Sequence, residues 1–126
     1  MAFGDIGGAV TELVVTCQTP GSGAVAIAKG DPLKLTGDYT IDNVLADEDP
    51  VFGQALASAD RNGQAIPVKV KGVCIFTYTG SAPTVNGLQG VLGSATGGTV
   101  KAPASGNGNG VTVNVDAVAS KVHVLI

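Results

Sequence analysis

Apolar residues in this chain recur at every second position, in runs too short for helices. Near the C-terminus Val111, Val113 and Val115 alternate with Thr112, Asn114 and Asp116, and Val122, Val124 and Ile126 alternate with Lys121, His123 and Leu125. The same spacing puts Ile66, Val68 and Val70 on one face of a strand and Lys69 and Lys71 on the other. A period of two is the signature of a strand with one face toward a core. Further short strands are expected over residues 11–17, 24–28, 33–36, 39–43, 51–58 and 99–102, with another near Val91. Residues 73–78 are apolar on both faces, which fits either a central strand or one that is part of an interface.

Turn signals separate these runs. Pro20-Gly21-Ser22-Gly23, Gly30-Asp31-Pro32, Gly37-Asp38 and Asp60-Arg61-Asn62-Gly63 all lie between apolar segments. Asn-Gly adopts positive φ cheaply and so favours a hairpin. Gly53, inside its run, suggests a bulge or a close backbone approach, and Pro67 argues for an edge position or a bulge. Residues 80–98 are rich in Gly, Ser, Ala and Thr and read as a long loop. No stretch has helical spacing over ten residues. The expected fold is all-β: a small single-domain β-barrel or sandwich of about nine short strands spanning residues 11–126. Residues 1–10 carry Phe3 and Ile6 without a period and read as an extended N-terminal arm.

Composition narrows the class. The 126 residues include 19 glycines and only 13% charged residues, unlike a disordered, charge-rich segment. A chain of this length can bury roughly two thirds of its unfolded surface, enough for a core without staples. The net charge of −3 and the scattered cations give no footprint for nucleic acid. Lys69 and Lys71 read as a solvated strand face. No run approaches the ~20 apolar residues of a membrane span, and no charged leader precedes Lys29, so a soluble, cytosolically made protein is expected.

Chemistry is sparse. The single histidine, His123, would have to serve any Ser-His-Asp or Cys-His arrangement, and it reads as a surface or interface residue. Cys17 and Cys74 read as reduced, buried thiols, with one disulfide open if they face each other. Two cysteines and one histidine are too few for a zinc motif. Asp47-Glu48-Asp49 lacks the calcium-loop pattern and reads as an ordinary solvated turn. The absence of Trp, with two Tyr and three Phe, counts against a sugar-binding groove. No catalytic residue, cofactor or metal is expected. A β-scaffold without chemistry suggests a protein whose product is a surface.

The order of motifs from Gly30 to Gly72 resembles the head-decoration, or capsid cement, proteins of tailed bacteriophages. The matching pieces are Gly30-Asp31, Leu35-Thr36-Gly37, the acidic turn Asp47 to Asp49, Pro50-Val51-Phe52-Gly53-Gln54-Ala55, Asn62-Gly63 and the Val-rich segment 68–72. They cover about a third of the chain. The resemblance implies a structural virion protein on the outer surface of a capsid of the HK97 lineage. It would bridge capsomers after head expansion, with the major capsid protein and its own copies as partners, most often as a homotrimer. It would be made in the bacterial host cytoplasm. The alternative is a non-enzymatic β-sandwich binding module or another virion component of the tail or fibre. Interface candidates are apolar residues that a monomer has least reason to hold: Phe3 and Ile6 in the arm, Cys74, Phe76 and Tyr78 in the two-faced strand, and Leu88 and Val91 in the long loop.

Overall fold

Period-two patterning produces strands wherever it was sustained. The computed structural model describes residues 11–126 and contains ten strands, with no helix among the described residues. Five of them close into a barrel: β1 (Leu13–Gln18), β2 (Pro32–Gly37), β3 (Thr40–Asp42), β4 (Gly53–Ala55) and β5 (Ala65–Lys71), in the order β1-β3-β2-β4-β5. The rest form an open sheet: β6 (Val73–Tyr78), β7 (Leu92–Gly93), β8 (Thr99–Lys101), β9 (Val111–Asp116) and β10 (Lys121–Leu125), in the order β7-β8-β6-β10-β9. The chain is thus all-β. Each sheet has its own apolar cluster. Leu33, Ile41, Ile66 and Val68 fill the barrel, while Phe76, Val91, Val100, Val122 and Val124 line the open sheet.

Several expected strands are shorter than their apolar runs. Residues 24–28 contribute only a reciprocal bridge, in which Ile27 and Ala59 exchange backbone bonds of 2.9 Å. The run 51–58 contracts to the three residues of β4. Gly53 marks a close approach there, because a Cβ at that position would lie 2.5 Å from the Lys69 carbonyl oxygen. Pro67 lies in no bulge: it pairs with Thr16 of β1 on one side and sits just past the end of the β4 ladder on the other, so that side is a local edge. Its carbonyl accepts the Leu56 N–H at 3.0 Å. A residue's nitrogen and carbonyl point the same way in a strand, so the missing N–H of Pro67 faces the region just past Ala55, where β4 has ended.

The alternation in β9 is broken by a bulge. Val122 pairs with Val115, His123 with Asn114 and Val124 with Thr112, leaving Val113 as the extra residue. The bulge turns Thr112 inward and leaves Val113 45% exposed, against the expectation from strict alternation. Among the described residues the buried Thr112 hydroxyl has no hydrogen-bond partner. An unpaired buried hydroxyl typically costs ~1–3 kcal/mol. Thr112→Val is therefore expected to leave stability unchanged or raise it by up to about 3 kcal/mol, read from the midpoint of urea unfolding.

The acidic turn does more than meet solvent. It lies between β3 and β4 and ties the two sheets together. Lys34 of β2 reaches Asp49 at 3.1 Å, while Lys101 of β8 lies 3.1 Å from Asp47 and 3.6 Å from Glu48. The Glu48 N–H donates to Gly93 of β7 at 3.0 Å, and the Glu48 side chain accepts the Ala104 N–H at 3.0 Å. These bonds hold Glu48 at φ 68, a left-handed conformation unusual for a non-glycine residue. The next residues straddle the junction, since Val51 belongs to the open-sheet cluster and Phe52 packs on the barrel cluster. Gln54 adds a further tie, donating to the Ile75 carbonyl at 2.8 Å.

This clamp is electrostatic, so it titrates. The Ala46 N–H, bonded at 2.7 Å, and then the Lys34 ammonium hold the Asp49 carboxyl below its ordinary range. A depressed carboxyl stabilises the fold fully above its unfolded pKa, and that contribution is lost as pH falls through the folded value. The Lys101 ammonium is pushed the other way, first by its hydrogen bond to Asp47. Its contribution is present below the ordinary lysine value and is lost as pH rises through the raised one. Asp49→Asn is expected to be less stable than the parent at neutral pH, with the gap closing on acidification. Denaturant midpoints measured across the acid range check this.

The two cysteines lie in different clusters, Cys17 in the barrel and Cys74 under the open sheet, and both are free thiols. Burial pushes both thiols up, Cys74 to about 11. The thiolate is the reactive form. Neither cysteine should react with a disulfide reagent in the native protein, and both should titrate once denaturant is added.

Candidate functional site

Four of the interface candidates chosen from the sequence come together, but in the open-sheet core rather than on one surface. Phe3 and Ile6 lie outside the described residues. Cys74, Phe76 and Val91 are buried, and they form part of the open-sheet core. The reason is topological: β6 is the central strand of its sheet, between β8 and β10, so one of its faces is taken up by packing. Tyr78 is half-buried against the same cluster. Leu88 alone of the described candidates is fully exposed, at 69%, in the loop between β6 and β7.

A contiguous run of partly exposed apolar residues lies on the opposite face of that sheet, while other exposed apolar residues, such as Val44, Val85 and Val118, lie elsewhere. Cross-strand partners share a face in an antiparallel pair. Leu125 pairs with Val73 on one side and Val111 on the other, and His123 pairs with Ile75 and Asn114. Three strands thereby present Val73, Ile75, Val111 and Leu125 side by side, and the bulge adds Val113. Ile75 is 48% exposed and Leu125 49%. His123 sits half-buried within this patch, with Ile75 and Asn114 as its cross-strand neighbours. Lys121, opposite Thr77 and Asp116, marks the polar end.

At its other end the patch adjoins a cleft between the barrel and the open sheet. Gly72 and Ile126 exchange backbone hydrogen bonds there, joining the end of β5 to the end of β10. The cleft has a volume of about 740 Å³ and is lined by Leu35, Val51, Phe52, Val70 and Ile126, with the Lys34–Asp49 pair and Lys71 at its margin. Asn109 closes one side, its Oδ1 accepting the Val51 N–H at 2.8 Å.

Lys69 departs from the solvated face read from the sequence. Its side chain is only 12% exposed, pairs with Glu12 at 3.1 Å and donates to the Val73 carbonyl at 3.1 Å. That bond spans the crossover from barrel to open sheet, so Lys69 braces the junction. Among the described residues, no group of three or more His, Cys, Asp or Glu side chains is placed to hold a metal ion. No protein-family model and no curated protein matches this chain.

Proposed function

We propose that this protein is a structural virion subunit of the capsid-cement type. It would bind the outer surface of an expanded phage head of the HK97 lineage, contact the major capsid protein, and bridge neighbouring capsomers as a homo-oligomer, with a trimer favoured. The observation that carries this reading is the apolar face on which Ile75, Val113 and Leu125 are about half exposed among the described residues, beside the half-buried Val73 and Val111. The motif order from Gly30 to Gly72 supplies the choice of partner. Stabilisation would be mechanical. Specific interfaces need about 800 Å² per partner, and many linked contacts on one shell add through avidity.

The test is the mass of the purified protein in solution, followed by sedimentation with expanded empty phage heads. A saturable stoichiometry on the heads is the expected result, with binding lost in Ile75→Asp and Leu125→Asp variants that keep the β-sheet circular-dichroism signal. Removing residues 2–9 tests the arm separately, through shell binding and thermal stability. A monomer that never co-sediments overturns the reading. The cleft beside Phe52 favours a second reading, a non-enzymatic binding module or a component of the tail or fibre. A ligand that shifts the melting temperature of Phe52 variants less than that of the parent would support it.

A further inference from the structure

The sequence contains four Asn-Gly pairs, at Asn62, Asn86, Asn107 and Asn109. Asn-Gly is the dipeptide most prone to spontaneous deamidation, because the glycine nitrogen is unshielded by a Cβ and can reach the asparagine side-chain carbonyl carbon. The reaction needs a side chain free to swing over the following peptide and a main chain free to follow. The fold grants these conditions unequally.

Asn62 is held at both ends. Its Nδ2 donates to the Pro20 and Gly23 carbonyls at 2.9 Å each, and the Gly63 nitrogen, the required nucleophile, is itself bonded to the Pro20 carbonyl at 3.2 Å. Asn86 turns its Oδ1 forward to accept the Leu88 and Gln89 N–H groups at 2.9 and 3.0 Å. Asn109 has its Oδ1 on the Val51 N–H, and its backbone exchanges bonds of 2.8 and 3.1 Å with Val91. Asn107 differs from all three. Of the four, its side chain alone has no hydrogen-bond partner among the described residues; it is exposed, and the Gly108 N–H is also unpartnered, although Gly108 lies against the Val91 backbone.

We propose that Asn107 is a site of spontaneous covalent modification, with Gly108 as the internal nucleophile. The deprotonated Gly108 nitrogen bonds to Asn107 Cγ. The bond from Cγ to the side-chain nitrogen breaks, and that nitrogen leaves as ammonia, closing a succinimide ring. Water then opens the ring. Attack at Cγ yields aspartate, and attack at the main-chain carbonyl yields isoaspartate, in which the chain runs through the side-chain carbon. The sum is an amide and water converted to a carboxylate and ammonium, with no change in oxidation state. Each event adds one negative charge to a chain of net charge −3. It does so beside the loop that Glu48 holds through the Ala104 N–H.

The experiment incubates the native protein in mildly alkaline buffer and follows each Asn-Gly site by peptide mapping. A parallel sample is kept in denaturant. Conversion at Asn107 is expected to run several-fold faster than at Asn62, Asn86 and Asn109 in the native protein. In denaturant the four rates should draw together, because there only local sequence distinguishes them. Asn107→Gln should remove the main acidic species seen on ion exchange while leaving circular dichroism unchanged. Native conversion at Asn107 no faster than at Asn62, Asn86 or Asn109 overturns the assignment. A rate order that persists unchanged in denaturant also overturns it, since the ranking would then owe nothing to the fold.

Discussion

Phe76→Ala is expected to lower the unfolding free energy by about 3–5 kcal/mol, the usual range for emptying a large buried aromatic. Phe76 is 1% exposed and sits on the central strand of the open sheet, over Val91, Val100, Val122 and Val124. The surrounding groups are β-branched valines with few rotamers to spare, so the cavity cannot collapse far. The loss should appear as a lower urea midpoint with an unchanged slope. A second outcome is expected of the same variant. Lys101–Asp47, Glu48–Gly93, Gln54–Ile75 and the Gly72–Ile126 bonds join the two sheets. The barrel should therefore unfold in the same transition as the open sheet, and Leu33→Ala in the barrel should shift that single transition too. Two separated transitions in either variant would show that the clamps do not couple the sheets.

Gly53→Ala should be costly although it adds one methyl group. The new Cβ would meet the Lys69 carbonyl oxygen at 2.5 Å and Val68 Cγ1 at 2.8 Å. The carbonyl belongs to the backbone of β5, which is tied to β1 over its whole length, so it cannot withdraw. Overpacking in a tight site costs ~1–3 kcal/mol or more, and here the relief would also break the three-residue β4, which closes the barrel. Gly21→Ala and Gly97→Ala are the controls. A Cβ at either meets nothing within 4 Å, and each should change stability by less than about 0.5 kcal/mol. Equal effects at all three positions would refute the close-approach account.

Under the cement role proposed above, stability bears on function through copy number. A subunit acting through area rather than chemistry must present its apolar face without distortion. Val73, Ile75 and Leu125 are placed by the same strands whose inner faces hold Cys74, Phe76, Val122 and Val124. Damage to the core is therefore expected to reach the exposed apolar face through the sheet itself. Ile75→Asp, by contrast, changes the face and spares the core.

The sequence alone determined the class of structure, because strand periodicity is a local property. Val122 and Val124, and Ile66 and Val68, point to the core that their alternation assigned them. The Asn62-Gly63 turn and the close approach at Gly53 were also legible, since each depends on what glycine permits at one position. The tertiary structure decided what depends on partners distant in sequence. Strand β6 is apolar on both faces, so its pattern could not say whether Cys74 and Phe76 or Val73 and Ile75 would be covered; its central place between β8 and β10 settled it. The bulge that turns Thr112 in and Val113 out arises from register against β10. The acidic turn reads as solvent-facing until Lys34 and Lys101, from two different sheets, are brought against it. Lys69 looked solvated for the same reason, as Glu12 and the Val73 carbonyl become its partners only when β1 and β6 flank β5. Period and turn chemistry act over a few residues, whereas burial of a face and pairing of a charge are settled by the assembled fold.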